Sequence, residues 1–178
     1  LDQYSNPSNP LAHQEGTAAE IYEQCEGRID AVVIGAGTGG TITGVARALK
    51  EKLPDVQIVG ADPFGSILAG PEEIKSYKVE GIGNDKLPGT LHFEWIDEFR
   101  TVDDHTSFHM ARRITREEGM FVGGSTGLIV HIAAEIAREV DDPEACVVAI
   151  LCDTGERYLS KVFNDEWLEE NGMGDLVD

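Results

Sequence analysis

Residues 31–41 read Ala31-Val-Val-Ile-Gly-Ala-Gly-Thr-Gly-Gly-Thr41, so an apolar run passes directly into a glycine-rich turn. The apolar part is typical of a buried β-strand, and the residues from Thr41 to Lys52 are predicted to be helical. Glycines allow backbone amides to turn toward a shared anion, and a helix N-terminus adds the positive end of its dipole. Thr38 and Thr41 add two hydroxyl donors. The stretch therefore predicts a strand–loop–helix unit with a site for a phosphate-sized anion.

The same loop has two other interpretations. Gly35, Gly37 and Gly40 also fit the dinucleotide-binding pattern GxGxxG, and Asp62 follows the next predicted strand, where such enzymes keep the acid that binds the ribose. A tight strand–helix turn without any ligand is the third interpretation, because glycines also mark close packing. Taken alone, the loop leaves these alternatives open.

Elsewhere in the chain, predicted strands alternate with predicted helices. Val56–Ala61 is a candidate buried strand, and the continuous apolar run Cys146–Leu151 is typical of a strand covered on both faces. Helices are predicted near Thr106–Glu118 and Leu128–Glu139. This alternation predicts an α/β fold in which helices flank a mostly parallel sheet.

The other segments carry weaker signals. Residues 2–10 contain two prolines and are predicted to be extended or turning rather than helical. Thr17 and Glu20 have the spacing of a capping box, which predicts a helix that begins there and ends near Gly27. Residues 63–105 are expected to form loops and short helices.

Three turns stand in front of predicted helices, at residues 35–40, 123–127 and 153–155. Ligands of parallel sheets bind beyond the carboxyl ends of the strands, where such turns lie. We therefore expect the three turns to share one rim of the sheet, and the rim to carry the site.

The composition limits the classes of partner. The chain has 178 residues, with 33 acidic and 14 basic side chains, giving a formal net charge of −19 at pH 7. Such a surface repels nucleic acid and anionic membranes, so neither is expected as a partner. The three cysteines lack a metal-ligand spacing and are expected to be reduced, in a cytoplasmic protein without a bound metal.

Six segments of the chain, in this order, resemble one known family. They are Asp2–Pro10, Gly37–Thr41, Gly60–Leu68, Val79–Gly83, Gly123–Gly127 and Asp153–Tyr158. Together they are similar to the cystathionine β-synthase and cysteine synthase family of pyridoxal-phosphate enzymes. The resemblance implies a fold type II enzyme, like the tryptophan synthase β subunit, with residues 1–178 as part of its large, pyridoxal-phosphate-binding domain. Isolated motifs often match by chance, but six in order argue against the dinucleotide alternative.

The resemblance also implies roles for individual residues. The phosphate of pyridoxal 5'-phosphate would be held by Gly37, Thr38, Gly39, Gly40 and Thr41. The Thr154 hydroxyl would face the ring nitrogen of the cofactor, although a threonine before a helix is also a common N-cap. The residues expected near the substrate are Gly81, Ile82, Gly83 and Ser125. A surface turn and a helix cap are the plain structural alternatives for these four.

The activity implied is replacement at the β-carbon of serine by homocysteine, as in cystathionine β-synthase. Cysteine synthase, which uses O-acetylserine and sulfide, is the close alternative. A non-catalytic phosphate-binding module and an NAD-binding domain are the alternatives from other classes. Asn84 departs from the family pattern, because cystathionine β-synthases usually have tyrosine after the Val79–Gly83 motif.

The resemblance places the Schiff-base lysine of the family ahead of Leu1. None of the lysines of this chain lies in that lysine's motif; they are Lys50, Lys52, Lys75, Lys78, Lys86 and Lys161. No catalytic residue is therefore expected on this chain, and the chain alone is expected to be inactive. The full-length protein is expected to be a homodimer that acts on small amino-acid substrates.

Overall fold

A parallel sheet forms the centre of the computed structural model, which describes residues 1–70 and 74–177. Within these residues the strand order is β3-β2-β1-β4, and each neighbouring pair is parallel. The strands are β1 (Ala31–Gly35), β2 (Gln57–Pro63), β3 (Glu98–Val102) and β4 (Val147–Ala149). The α/β class and the parallel sheet predicted from the alternation are confirmed.

Helices cover both faces of this sheet. The α-helices are α1 (Ser8–Ala12), α2 (Ala18–Gln24), α3 (Gly40–Lys52), α4 (Asp104–Glu117), α5 (Gly124–Val140) and α6 (Asp165–Glu170). A π-helical turn, His13–Thr17, joins α1 to α2. Short 3-10 turns are formed by Phe93–Trp95, Gly155–Tyr158 and Gly174–Leu176.

The side chains of β1 alternate between two cores. Ala31 and Val33 pack with α4 and α5 on one face, whereas Val32 and Ile34 pack with α3 on the other. All four side chains are at most 1% exposed. A strand covered on both faces is uniformly apolar, which explains why this stretch was recognisable in the sequence.

The strand order creates a crevice beside the end of β1. The chain leaves β1 through α3 to reach β2 on one side, whereas β4 pairs with β1 on the other side. The connections therefore diverge at the carboxyl ends of β1 and β4. Ligands of open α/β sheets bind at such a switch point.

The prediction for residues 2–10 is wrong at its end, because Ser8, Asn9 and Pro10 belong to α1. Proline is tolerated in a first helical turn, where its missing N–H has no partner within the helix. The capping box is also wrong: Thr17 has helical φ and ψ and caps nothing, because the π-helical turn runs into α2 without a break. The helix ends at Gln24, and Gly27 follows in the left-handed region.

The two edge strands differ from the predictions. The run Cys146–Leu151 gives only the short strand β4, which is half-buried at a sheet edge rather than covered on both faces. β3 lies within residues 63–105, which were expected to hold loops and short helices. Residues 71–73, part of that same stretch, lie outside the described residues.

Candidate functional site

A cavity of about 660 Å³ opens at the switch point, which is a volume typical of small-molecule sites. The loop after β1 forms one wall, and residues from the other two predicted turns complete it. The lining residues are Gln3, Tyr4, Gly35, Gly37, Thr38, Gly39, Thr41, Gly81, Ile82, Gly83, Ser125, Cys152 and Asp153. The sequence therefore predicted correctly that the three turns lie on one rim.

The glycines of the loop after β1 allow Gly81 and Ile82 to pack closer to this loop than side chains would permit. A Cβ atom on Gly37 would lie 3.0 Å from the Gly81 carbonyl oxygen, and one on Gly35 would lie 2.8 Å from Ile82 Cγ2. Gly39 has φ +82° and stands just before α3. Its left-handed conformation turns the chain so that the helix N-terminus faces the cavity.

The polarity of the lining suits an anion that is bound by hydrogen bonds. Thr38, Thr41 and Ser125 contribute hydroxyl groups, and Thr41 belongs to the first turn of α3, so the helix begins at the cavity wall. Among the described lining residues the charged side chain is Asp153, and none is lysine or arginine. Neutralisation of a bound phosphate would come from amides, hydroxyls and the helix dipole. A glycine cradle with hydroxyl donors fits a phosphorylated cofactor.

A second loop, residues 81–85, is fixed against the first. The Gly83 amide donates to the Ala36 carbonyl at 2.7 Å, and the Asn84 side chain donates to the Gly37 carbonyl at 3.4 Å. The Ser66 hydroxyl contacts both the amide and the carbonyl of Asn84. Asn84, which departs from the family pattern, thus joins the two loops that line the cavity.

Most of the predicted site residues meet in this cavity. Those that line it are Gly37, Thr38, Gly39, Thr41, Gly81, Ile82, Gly83 and Ser125. Gly40 is buried behind the lining, and a Cβ atom there would overlap the Asn9 side chain. An alanine at Gly40 would therefore disturb packing against α1 rather than fill the cavity.

The two candidate caps do not act as caps. Thr154 precedes the turn Gly155–Tyr158, yet its side chain makes no capping hydrogen bond and the residue is exposed. It lies beside the cavity-lining pair Cys152 and Asp153 rather than among the lining residues. Ser125 lies inside α5, whose N-cap is Gly123, and is 2% exposed.

Five residues that line the cavity were given no role in binding pyridoxal phosphate or substrate from the sequence: Gln3, Tyr4, Gly35, Cys152 and Asp153. Asp153 accepts a hydrogen bond from the Tyr158 hydroxyl, while its Oδ1 atom is buried and has no partner among the described residues. Burial and the neighbouring Asp153 raise the pKa of Tyr158 above its usual range, so the phenol stays protonated and donates. The segment Asp153–Tyr158, which resembles a family motif, was the feature of the sequence that could have indicated Asp153 as a cavity residue.

Asp62 does not face the cavity. It is fully buried at the end of β2, where its Oδ2 accepts from the Ala69 amide at 3.1 Å and its Oδ1 lacks a partner among the described residues. Desolvation raises the pKa of this carboxyl to about 6. A ribose-binding acid would have to project into the crevice, so this position disagrees with the dinucleotide interpretation.

The fold and the cavity define an α/β protein with a glycine-lined cavity at the switch point of a parallel sheet. A family model, described as pyridoxal-phosphate dependent enzyme, matches residues 1–153. The chain belongs to this family, and the dinucleotide alternative is overturned. None of the described helices is both long enough and apolar enough to traverse a lipid bilayer.

Several relatives that are named cystathionine beta-synthase match nearly the whole chain. Cystathionine beta-synthase from Dictyostelium discoideum is 52% identical over 98% of this chain, and that from Mus musculus is 48% identical over 97%. These alignments cover 36% and 32% of the two relatives, so the chain spans about a third of their length. The crystal structure of O-ureido-L-serine synthase is 38% identical with a TM-score of 0.84, covering 94% of this chain and 55% of that one.

Proposed function

We propose that the complete protein uses pyridoxal phosphate to join serine and homocysteine by replacement at the β-carbon of serine. The observation that carries this proposal is the 45–52% identity, over nearly the whole chain, to relatives named cystathionine beta-synthase. The glycine cradle at the switch point supports the same conclusion, because it suits a cofactor that carries a phosphate.

In this proposal the chain binds and orients the cofactor through its phosphate. Amides of residues 37–41 and the hydroxyls of Thr38 and Thr41 hold the phosphate at the start of α3. The 81–83 backbone and Ser125 face the space for the substrate. The bound cofactor supplies an electron sink for negative charge at the α-carbon. The chain's own contribution is orientation and a preformed set of hydrogen-bond donors.

Thr154 is proposed to face the ring nitrogen. A hydroxyl is a far weaker acid than a pyridinium, so it leaves the ring neutral and limits the strength of the electron sink. This suits replacement at the β-carbon better than transamination. The uncapped, exposed position of Thr154 beside two cavity residues supports the assignment.

Assays of the complete protein test the activity. Serine plus homocysteine should give cystathionine, with an absorbance spectrum typical of bound pyridoxal phosphate. Faster turnover of O-acetylserine with sulfide would favour the cysteine synthase alternative. Absence of both products, with phosphate binding retained, would favour a non-catalytic module.

We also propose that this chain alone does not turn over, because none of the described residues that line the cavity is a lysine able to form a Schiff base there. Lys50 bonds Asp97 at 2.8 Å, and Lys161 pairs with Glu80. Among the described residues that line the cavity there is no lysine. The 178-residue chain should therefore give no cystathionine, and borohydride should fix pyridoxal phosphate at no residue of the cavity, although it can fix it nonspecifically to surface lysines. A cytoplasmic homodimer that binds neither nucleic acid nor membranes remains the expectation for the complete protein.

Substitutions at Thr154 test its proposed contact with the ring nitrogen. Thr154→Ala should lower turnover with a modest loss of cofactor, because one hydrogen bond contributes roughly 0.5–1.5 kcal/mol. Thr154→Asp should lower turnover further and alter the cofactor absorbance, since a carboxylate favours a protonated ring. The measurements are steady-state turnover and the absorbance spectrum of the complete enzyme.

Ser160→Asp is the matched control, because it adds the same charge at an exposed position in the following turn. It should leave both turnover and spectrum close to wild type. Normal turnover and spectrum in Thr154→Asp would contradict the role assigned to Thr154.

A further inference from the structure

Two residues of the first helical run, which comprises α1 and the π-helical turn after it, contact the hydroxyls of Thr38 and Thr41 in the cavity wall. The Asn9 amide nitrogen lies 3.1 Å from Thr38 Oγ1, and His13 Nε2 lies 3.2 Å from Thr41 Oγ1. Asn9 belongs to α1 and His13 opens the π-helical turn. These residues were absent from the predicted site, because they stand far from the glycine loop in sequence.

A glycine on α3, Gly44, makes these contacts possible because it has no side chain. A Cβ atom on Gly44 would lie 2.8 Å from both the Gln14 amide nitrogen and His13 Cβ, and it would overlap the Pro10 carbonyl. The backbone of the first helical run therefore packs directly on α3. This close approach places the His13 ring beside Thr41.

The direction of the Asn9 contact follows from its other partner. The Asn9 amide nitrogen also lies 2.8 Å from the Gln3 carbonyl oxygen, which can only accept. The same nitrogen therefore donates to Thr38 Oγ1. A hydroxyl has one proton, so a hydroxyl that accepts from the protein keeps that proton free for another acceptor. In Thr38 the free proton is available to the cavity.

The His13 contact gives Thr41 the same polarity in one tautomer. His13 Nδ1 lies 3.0 Å from Thr17 Oγ1, and Thr17 makes no capping hydrogen bond. When Thr17 donates to Nδ1, the proton of the neutral ring sits on Nε2 and is donated to Thr41. Burial lowers the pKa of His13, which favours the neutral ring.

We propose that Asn9 and His13 are positioning residues that orient the hydroxyls of Thr38 and Thr41 as hydrogen-bond donors to the cofactor phosphate. This inference rests on the proposed function, since it concerns the same anion site. It assigns neither residue a contact with the cofactor. Their effect passes through the two threonines.

The experiment compares the affinity of the complete enzyme for pyridoxal phosphate with its affinity for pyridoxal. His13→Leu should weaken pyridoxal-phosphate binding about three- to tenfold, the worth of one hydrogen bond, and leave pyridoxal nearly unchanged. His13→Gln, whose amide can donate from nearly the same place, should restore most of the affinity. Asn9→Leu should reproduce the loss through Thr38.

A double substitution separates positioning from packing. In a Thr41→Val background no hydroxyl remains to be oriented, so His13→Leu should cause no further loss of discrimination between the two ligands. His109→Leu removes an exposed histidine on α4 and is the matched control. The ring ¹⁵N shifts of His13 should report a neutral ring protonated at Nε2.

Three outcomes would overturn the inference. One is an equal loss of both ligands in His13→Leu, and another is an undiminished effect of His13→Leu in the Thr41→Val background. The third is a ring protonated at Nδ1, since Thr41 would then donate to His13 instead of to the phosphate. Equal wild-type affinities for the two ligands would instead contradict the proposed function itself, and with it this inference.

Discussion

Gly39→Ala is expected to weaken the binding of pyridoxal phosphate about a hundredfold in the complete enzyme. Alanine is strained at φ +82°, and its Cβ atom would lie 2.7 Å from Leu91 Cα. Because a backbone atom cannot move aside cheaply, the loop must shift and its amides must turn away from the phosphate. Charge-assisted hydrogen bonds contribute roughly 1.5–3 kcal/mol each, so losing one or two accounts for this loss.

Pyridoxal provides the internal control, since it lacks the phosphate and should lose little affinity. Gly119→Ala is the matched variant, because Gly119 has φ +70° and no atom near its Cβ position. Alanine at position 119 is strained by the same backbone conformation, but Gly119 does not line the cavity. Titration of both ligands and thermal unfolding of each variant are the measurements. A parallel loss of both ligands that follows the loss of stability would mean that the loop is only structural.

Asp62 is expected to make the folded state less stable as the pH rises. Desolvation raises the pKa of its folded-state carboxyl from 3.8 to about 6. The folded state therefore binds this proton more tightly than the unfolded state does. The stability that the proton confers is present below pH 4 and is lost as the pH rises through 6. The full change is about 3 kcal/mol, of which about 2 kcal/mol falls between pH 4.5 and 7.5.

Urea unfolding at a series of pH values measures this dependence as the difference between wild type and Asp62→Asn. Asparagine does not titrate, so the difference in the free energy of unfolding should change by about 2 kcal/mol between about pH 4.5 and 7.5. Asp55→Asn, at an exposed position between α3 and β2, is the matched control for removing one carboxylate. A constant difference between wild type and Asp62→Asn would mean that the carboxyl is ionised throughout.

The sequence predicted those elements whose local chemistry agrees with their environment. β1 is apolar on both faces and is followed by glycines and a helix, so the strand, the loop and α3 were all recognisable. β3 was missed because Glu98 and Arg100 interrupt its apolar pattern. These two side chains pair at 2.8 Å on the half-buried edge of the sheet.

The predictions for α1 and β4 were wrong because tertiary packing, not local sequence, decides their structure. Ser8–Ala12 forms a helix despite Pro10 because α1 packs on α3, and local propensity counts for less than that packing. β4 was expected to be covered on both faces, since an apolar composition does not reveal whether neighbouring chain covers it.

The candidate site was predictable where glycine spacing marked it. The loops at 35–41, 81–83 and 123–127 all reach the cavity. Asn9 and His13 could not be found in this way, because their roles arise from contacts across 29 and 28 positions in sequence. Such contacts become visible only when α1 and α3 are packed together.

The charge of the chain and of the cavity wall affects the rate at which the phosphorylated cofactor binds. The chain carries a net charge of −19, and the charged side chain among the described lining residues is an aspartate. A dianionic ligand therefore approaches against the field of this chain and is held only once short-range hydrogen bonds form. Added salt weakens that long-range repulsion and leaves the short contacts largely intact. The association rate of the phosphorylated cofactor should thus rise with ionic strength, the reverse of the trend in sites where lysine or arginine attracts the anion.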